Sequence, residues 1–142
     1  MQVKEVMSRR IIAISPEETV AVAARLLSQH NIGALPVCSR DGRLRGMVTD
    51  RDIVVRCVAA GDDPERTRVA EIMTRRILAA EPEKSIGEAA KLMAREQVRR
   101  LPVQERGRLV GMVSLGDVAV QPDYTMEAGE VLQEISQNIR RV

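Results

Sequence analysis

The sequence is poor in the residues that nucleic-acid-binding surfaces depend on. It has no Phe and no Trp, and Tyr124 is the only aromatic residue. Proteins that hold single-stranded nucleic acid stack the bases on aromatic rings, and a net charge of +2 is too small for a strongly basic interface. We therefore expect no nucleic-acid partner.

Long apolar runs are also missing. No run approaches the roughly 18 apolar residues that a membrane-spanning helix needs, and Met1–Val6 lacks the apolar stretch of a signal peptide. The two cysteines, Cys38 and Cys57, suit a reducing compartment, where disulfides are rare. We expect a cytoplasmic protein with no membrane partner. Its cysteines are predicted to be small buried apolar side chains, with a redox pair as the alternative.

The chain contains little that could support catalysis. An enzyme needs an activated nucleophile, paired carboxylates or a metal. There is a single histidine, His30, and no Cys and His cluster with zinc-ligand spacing. Neither a G-x-x-x-x-G-K-[ST] nor a G-x-G-x-x-G loop is present. We predict a non-catalytic protein that requires no cofactor or metal, in which His30 lies partly exposed at a helix end.

What the sequence does contain is an internal repeat. Val3–Arg40 aligns with Val69–Arg106 without a gap, and Gly42–Arg56 aligns with Gly107–Gln121 once Asp41 is skipped. Nearly half of the aligned positions are identical, which chance composition does not produce. The chain is therefore predicted to hold two copies of one unit. The predicted division is a first repeat at 1–61, a linker at 62–68, a second repeat at 69–121 and a C-terminal extension at 122–142.

Each copy predicts the order β-α-β-β-α. In the first copy, a strand-like run at Ile11–Ile14 precedes an amphipathic helix at Val20–Leu27, where apolar residues recur at helical spacing. Two strands then flank the turn signal Asp41-Gly42, and a second helix begins near Thr49 and ends at Gly61. Because the second copy repeats this pattern, we predict an α/β (α+β) fold.

The helices carry further signals. Thr19 and Ser85 are predicted N-caps of the first helix in each copy, and Ser85 forms a capping-box pattern with Glu88. The C-terminal extension predicts a last helix with one apolar stripe, which could pack on the chain's own core or on a second chain. The stripe consists of Ala128, Val131, Leu132, Ile135 and Ile139.

One motif stands at a strand-to-helix junction in both copies. Gly46–Asp52 and Gly111–Asp117 both fit G-x-x-[ST]-x-x-D. A hydroxyl beside the free N–H groups of a helix start can bind an anion. A carboxylate three residues later can accept two hydrogen bonds from a vicinal diol such as a ribose. Phosphate donors beside a diol acceptor are what a nucleotide requires, whereas ordinary helix capping is the alternative interpretation.

The repeat order, the paired motifs and the segments Gly33–Val37 and Val98–Val103 resemble the CBS domain, named after cystathionine β-synthase. The resemblance covers residues 3–121, most of the chain. It implies a tandem CBS-domain pair (a Bateman module) in which two repeats pack with pseudo-two-fold symmetry, here followed by a C-terminal helix. Such pairs have two clefts between the repeats, which commonly bind adenosine-containing ligands, and they often form homodimers.

The resemblance also implies which residues bind the ligand. Thr49 and Asp52 match the phosphate-side hydroxyl and the ribose carboxylate of one cleft, as Ser114 and Asp117 do for the other. The remaining candidates are the two charged residues within the first motif, two arginines at positions that reach phosphates in some relatives, and aliphatic residues that could support adenine. They are Asp50, Arg51, Arg99, Arg100, Ile14, Ala34, Leu35, Pro36, Leu101 and Pro102.

Several features set limits on these assignments. Plain core packing is the alternative for every aliphatic candidate, and it is favoured for Met47 and Met112. The first copy has Gly33-Ala34 where the second has Arg99-Arg100, and Asp50-Arg51 where the second has Leu115-Gly116. We therefore expect two unequal sites.

The predicted function is a non-catalytic sensor. The regulatory ligand is expected to belong to the class of AMP, ADP, ATP, S-adenosylmethionine and NAD. The alternative is a dimerisation or partner-docking module with degenerate clefts, acting on a protein target that the sequence does not identify.

Overall fold

The computed structural model describes the backbone of residues 1–140 and the side chains of residues 1–137, and it divides into two compact units. The first-repeat unit consists of Ile12–Leu78 and Gly107–Leu109. The second-repeat unit consists of Met1–Ile11, Ala79–Arg106 and Val110–Val142. Each unit thus contains most of one repeat together with the leading segment of the other, so the leading segments are exchanged.

Apart from the first strand, the elements of the first-repeat unit follow the predicted order, with an added helical turn from the second copy. The second helix of the repeat begins as an α-helix and continues as a single π-helical stretch at Val54–Val58. The elements are α2 at Val20–His30, β1 at Ala34–Cys38, β2 at Leu44–Thr49, α3 at Asp50–Ile53 and α4 at Val69–Ile72.

The second-repeat unit has the same arrangement and a longer C-terminal part. A 3-10 turn at Pro122–Tyr124 leads into the last helix. The elements are α1 at Val3–Val6, α5 at Ile86–Glu96, β3 at Arg100–Glu105, β4 at Arg108–Ser114, α6 at Leu115–Ala119 and α7 at Thr125–Arg140.

The predicted first strand of each copy is wrong in extent. In place of a strand at Ile11–Ile14, the structure has one parallel bridge between Ile14 and Val37, and the second copy has one between Ala80 and Val103. The hairpin strands β1 and β2 pair antiparallel, as do β3 and β4. Pro16 and Pro82 follow two residues after these bridges and cannot donate to a strand ladder, so they oppose any continuation of the pairing towards the helix.

The turn predictions are confirmed. Gly42 has a φ of 83° and donates its N–H to the Ser39 carbonyl. The shorter turn of the second copy places both Arg106 and Gly107 at positive φ, as a two-residue type I′ hairpin turn requires. Gly61 ends the π-helical stretch with a φ of 77°, and the next N–H, from Asp62, bonds back to Cys57.

Helix α2 begins as the sequence indicates. The Thr19 hydroxyl accepts the Val22 N–H, and in α5 the Ser85 hydroxyl accepts the Glu88 N–H, which is the hydroxyl half of the predicted capping box. The buried face of α2 packs into the core of the first-repeat unit with residues of both hairpin strands and of α4. That core includes Val20, Ala23, Leu27, Leu35, Val37, Val48, Val69 and Ile72.

Helix α7 packs on its own unit. It contacts α5 and α6, and three members of the predicted stripe, Ala128, Val131 and Ile135, are at most 6% exposed. Leu132 is 44% exposed, and Ile139 lies outside the residues whose side chains are described. Within the described part of the chain, no helix is both long enough and apolar enough to cross a bilayer.

Among the glycines of the first-repeat unit, Gly46 is the one at which an added Cβ would meet the shortest contact, and this generates a prediction. A Cβ at Gly46 would lie 2.2 Å from the Thr74 carbonyl oxygen. Gly46→Ala is therefore expected to lower the free energy of unfolding by about 2–4 kcal/mol, because backbone must move to relieve the overlap. Urea unfolding measures the change.

The matched control is Gly129, which is exposed within α7 and has open space around the position of its Cβ. Gly129→Ala should raise the free energy of unfolding by about 0.5–1 kcal/mol, because alanine loses less backbone entropy in a helix. An unchanged stability for Gly46→Ala would show that this approach is not as tight as described.

Candidate functional site

The motif of the first copy forms a reciprocal capping box. The Thr49 hydroxyl accepts the Asp52 N–H at 3.0 Å, and the Asp52 carboxylate accepts the Thr49 N–H at 3.0 Å. The second copy forms the same box between Ser114 and Asp117, at 3.0 and 2.8 Å. The capping interpretation is therefore confirmed for both motifs. The cap bond leaves other acceptor positions on each carboxylate, because a carboxylate has about four of them.

A leading segment lies along the strand edge beside each motif. In the first-repeat unit, Met47 and Thr74 exchange two backbone hydrogen bonds, of 3.0 and 2.8 Å. In the second-repeat unit, Met112 and Ser8 do the same at 2.8 and 2.9 Å. Each motif therefore has a neighbouring hydroxyl residue that comes from the other copy of the repeat.

The surroundings of Asp52 are filled by the protein itself. Its side chain is buried, with 7% exposure. The Thr74 hydroxyl donates to both carboxylate oxygens at 3.2 Å, and Arg56 Nε lies 3.9 Å from Oδ1. Arg56 also donates to the carbonyls of Ile72 and Met73, at 3.3 and 3.2 Å.

The surroundings of Asp117 are more open. Its side chain is half-buried, and among the described residues its carboxylate accepts one hydrogen bond, from the Ser114 N–H to Oδ2. The Ser8 hydroxyl bonds with the backbone of Arg10 instead. No fully buried side-chain oxygen of the described residues lacks a partner, so Asp117 Oδ1 is not fully buried.

The charges around the two motifs differ, as the sequence predicts. The Leu115 N–H donates to the Arg99 carbonyl at 2.8 Å, which places two exposed arginines, Arg99 and Arg100, next to the start of α6. In the first copy, the corresponding bond runs from the Asp50 N–H to the Gly33 carbonyl. There the charged neighbours are Asp50 and Arg51, both exposed and of opposite sign.

Most of the aliphatic candidates lie in the cores of their units. Ile14 is 5% exposed and Leu35 is not exposed at all, while Leu101 is 1% exposed. Pro36 and Pro102 are buried as well. These side chains offer almost no free surface to a ligand, which agrees with the core-packing alternative.

The half-buried residues near the motifs are different. Ala34, Met47 and Met112 each keep part of their surface free at the strands that lead into the motifs. Core packing was favoured for the two methionines, but their burial is only partial. They are therefore better placed than the buried aliphatic residues to contact a base.

Sequence reasoning missed the leading segments. It treated them as short lead-ins, although Met7-Ser8-Arg9-Arg10 and Met73-Thr74-Arg75-Arg76 are almost the same in the two copies. That shared run of a hydroxyl residue before two arginines was the available signal. It missed Arg56 too, whose counterpart in the second copy is the neutral Gln121.

The residue types that commonly bind metal ions are His, Cys, Asp and Glu, and all four are present among the described residues. Within them, no three His, Cys, Asp or Glu side chains come together in a way that could hold a metal ion. His30 is the exposed last residue of α2, as the sequence predicts.

The repeated hairpin-and-helix units and their paired motifs define the class of the protein. The family model of the CBS domain matches twice, at residues 3–58 and 69–123. The chain therefore belongs to the CBS domain family, and it carries the domain as a tandem pair.

Particular relatives are of similar size. The CBS domain-containing protein YhcV of Bacillus subtilis is 44% identical over 138 residues, which cover 96% of this chain and 97% of that protein. Hypoxic response protein 1 of Mycobacterium tuberculosis is 40% identical over 116 residues, 82% of this chain and 81% of that protein.

Solved structures give the same fold. Hypoxic Response Protein I, solved with two coordinated zinc ions, has a TM-score of 0.79 at 39% identity and covers 85% of this chain and 98% of its own. The CBS domain pair of protein MJ0100 was solved in complex with 5′-methylthioadenosine and S-adenosyl-L-methionine. It has a TM-score of 0.72 at 28% identity and covers 84% of this chain and 93% of its own.

The two cysteines generate a prediction about thiol chemistry. Cys57 is buried, and Cys38 is half-buried, where desolvation raises the pKa of its thiol above the usual value. Because a raised pKa leaves less thiolate, Cys38 should react with iodoacetamide about three- to tenfold more slowly than an unfolded peptide at pH 8. Cys57 should not react until the protein unfolds. Mass spectrometry of timed samples measures both rates.

Urea-unfolded protein is the control, since both thiols should then react at the peptide rate. Mild oxidation should leave both cysteines as free thiols. A fast-reacting Cys38 at pH 7, or a disulfide formed under mild oxidant, would contradict the assignment of these cysteines as inert.

Proposed function

We propose that the protein is a non-catalytic cytoplasmic sensor that binds an adenosine-containing ligand at its strand-to-helix motifs. The observation that carries this proposal is at the second motif. There the Oδ1 atom of the Asp117 carboxylate accepts no hydrogen bond from the described residues, and the adjoining stretch of chain carries two exposed arginines. The ligand class is that of AMP, ADP, ATP, S-adenosylmethionine and NAD.

The chemistry of the second motif suits the two polar ends of such a ligand. A vicinal diol presents two O–H donors, which a carboxylate with free lone pairs can accept. Arg99 and Arg100 present planar guanidinium groups, whose paired N–H donors fit a phosphate or a carboxylate. A ligand with a ribose and an anionic group therefore has a counterpart for each.

One of the related structures supports the adenosine class. The MJ0100 domain pair, whose fold this chain shares, was solved with two adenosine-containing molecules. The zinc ions belong to the Hypoxic Response Protein I structure. Within the part of this chain that is described, no three His, Cys, Asp or Glu side chains form a group that could hold a metal ion.

Regulation would follow if the ligand bound one arrangement of the protein more tightly than another. A ligand shifts an equilibrium between two arrangements only by the difference in its affinity for them. The second motif is well placed to create such a difference, because its strand β4 is paired with the leading segment of the other copy at Ser8. A ligand that prefers one position of this segment would stabilise that arrangement.

A ligand panel tests the proposal. AMP, ADP, ATP, adenosine, S-adenosylmethionine and NAD are each added at millimolar concentration, and thermal unfolding is measured. At a free concentration one hundred times its Kd, a binding ligand should raise the free energy of unfolding by about 2.7 kcal/mol. Asp117→Asn should abolish that gain, because an amide replaces the carboxylate that accepts the diol. A panel in which no compound shifts the transition of the wild-type protein would end the proposal.

Two further variants sharpen the result. Asp123→Asn removes an exposed acid of the same unit outside the motif, so it should bind as the wild type does. Replacing Arg99 and Arg100 by Gln should weaken AMP and ATP by about tenfold or more while sparing adenosine, which has no phosphate. Equal weakening of adenosine and AMP would show that the arginines do not recognise the phosphate.

A partner-docking function is the second candidate, and one observation favours it. Val54, Val55 and Val58 project from the π-helical stretch of the first-repeat unit and are 49–60% exposed. The corresponding residues of the second copy are Ala119, Val120 and Asp123, which form no such apolar group. We propose a second copy of this chain as the occupant, so that this valine face supports a homodimer.

Sedimentation analysis tests the homodimer. Val55→Glu should shift the protein towards monomer, because a charge at the centre of the valine face would be desolvated by a partner. Val120→Glu is the matched control, since Val120 occupies the corresponding position and is 74% exposed. A dimer that survives Val55→Glu would rule out this face.

A further inference from the structure

We infer that the two motifs have diverged in role. Asp117 is the carboxylate that meets the ligand. Asp52 instead forms a latch with Arg56 and Thr74, which holds the leading segment of the second copy on the first-repeat unit. The ligand half of this inference rests on the proposed function, whereas the latch half does not.

The latch joins parts of the chain that are far apart in sequence. Thr74 donates its hydroxyl to both oxygens of Asp52 at 3.2 Å. Arg56 approaches the same carboxylate at 3.9 Å and donates to two carbonyls at the end of α4, those of Ile72 and Met73. Asp52 is 7% exposed, and Thr74 and the Thr49 N–H provide the hydrogen bonds that a buried carboxylate needs, while Arg56 provides a nearby opposite charge.

The second copy lacks the residues that make the latch. Gln121 stands at the position of Arg56, so the cation is absent, and Ser8 stands at the position of Thr74. The Ser8 hydroxyl bonds with the backbone of Arg10. The Asp117 carboxylate accepts its hydrogen bond from the Ser114 N–H of the cap. The same Asp in the same motif therefore has a structural set of partners in one copy and a free oxygen in the other.

The consequence for binding is one ligand per chain. A diol needs two acceptor positions that it can reach, and the two oxygens of Asp52 share the Thr74 hydroxyl proton behind an almost closed surface. At Asp117 the one hydrogen bond from the described residues goes to Oδ2, so a diol at Oδ1 displaces no donor among them. Thr74 and Arg56 thus decide which of the two motifs is available.

Double-mutant cycles without any ligand test the latch. The first cycle combines Asp52→Asn with Thr74→Val, and the matched control combines Asp117→Asn with Ser8→Ala at the corresponding positions. Equilibrium unfolding in urea gives the coupling of each pair. The first pair should couple by about tenfold in the unfolding constant, and the control pair by less than about twofold.

A third cycle guards against a variant that does not fold. Arg56→Gln copies the residue of the second repeat and keeps the buried carboxylate intact, so its coupling to Thr74→Val can be measured if Asp52→Asn unfolds the protein. A coupling below about twofold for the latch pairs, or equal couplings in latch and control, would overturn the latch.

Calorimetric titration with AMP tests the ligand half. The wild-type protein should bind one AMP, at the second motif, and Asp117→Asn should bind none. Two AMP molecules per wild-type chain, or binding retained by Asp117→Asn, would overturn the inference. If the wild-type protein binds no compound of the panel, the proposed function fails, and the ligand-free cycles still decide the latch.

Discussion

The candidate sites depend on a pair of backbone hydrogen bonds between a leading segment and a hairpin edge. Met47 with Thr74, and Met112 with Ser8, each exchange two such bonds. Each bond contributes about 1 kcal/mol net, but their larger effect is positional. They place a hydroxyl residue of one copy beside the cap and carboxylate of the other, and they require the glycine before each methionine because the segment passes so close.

The local elements could be predicted because their causes are local. The caps at Thr19 and Ser85, the hairpin glycines and the helix stop at Gly61 depend on residues within a few positions of each other. The first strand was overestimated because apolar residues at Ile11–Ile14 satisfy a strand pattern, whereas the structure gives them one bridge before Pro16. The residue types of a segment indicate a preference for extended structure, but they do not show how many of its residues pair with a neighbouring strand.

The exchange of leading segments could not be predicted from the repeat. Self-similarity shows which segments are alike, and it does not show which segments are neighbours. The same limit applies to Asp52 and Asp117, which are identical in type and motif position. Their difference comes from Thr74 and Arg56, which reach Asp52 through the fold. A role assigned to a motif residue by resemblance therefore needs the identity of its neighbours before it can be accepted.

The exchanged segments also affect how the chain is made. Ser8 leaves the ribosome well before its bridge partner, Met112, which lies in the other repeat. Domains tend to fold as units during synthesis, and contacts of such long sequence separation form slowly. The nascent first repeat must therefore wait for residues 69–78 before it is complete, while its own leading segment remains unpaired until Met112 has emerged.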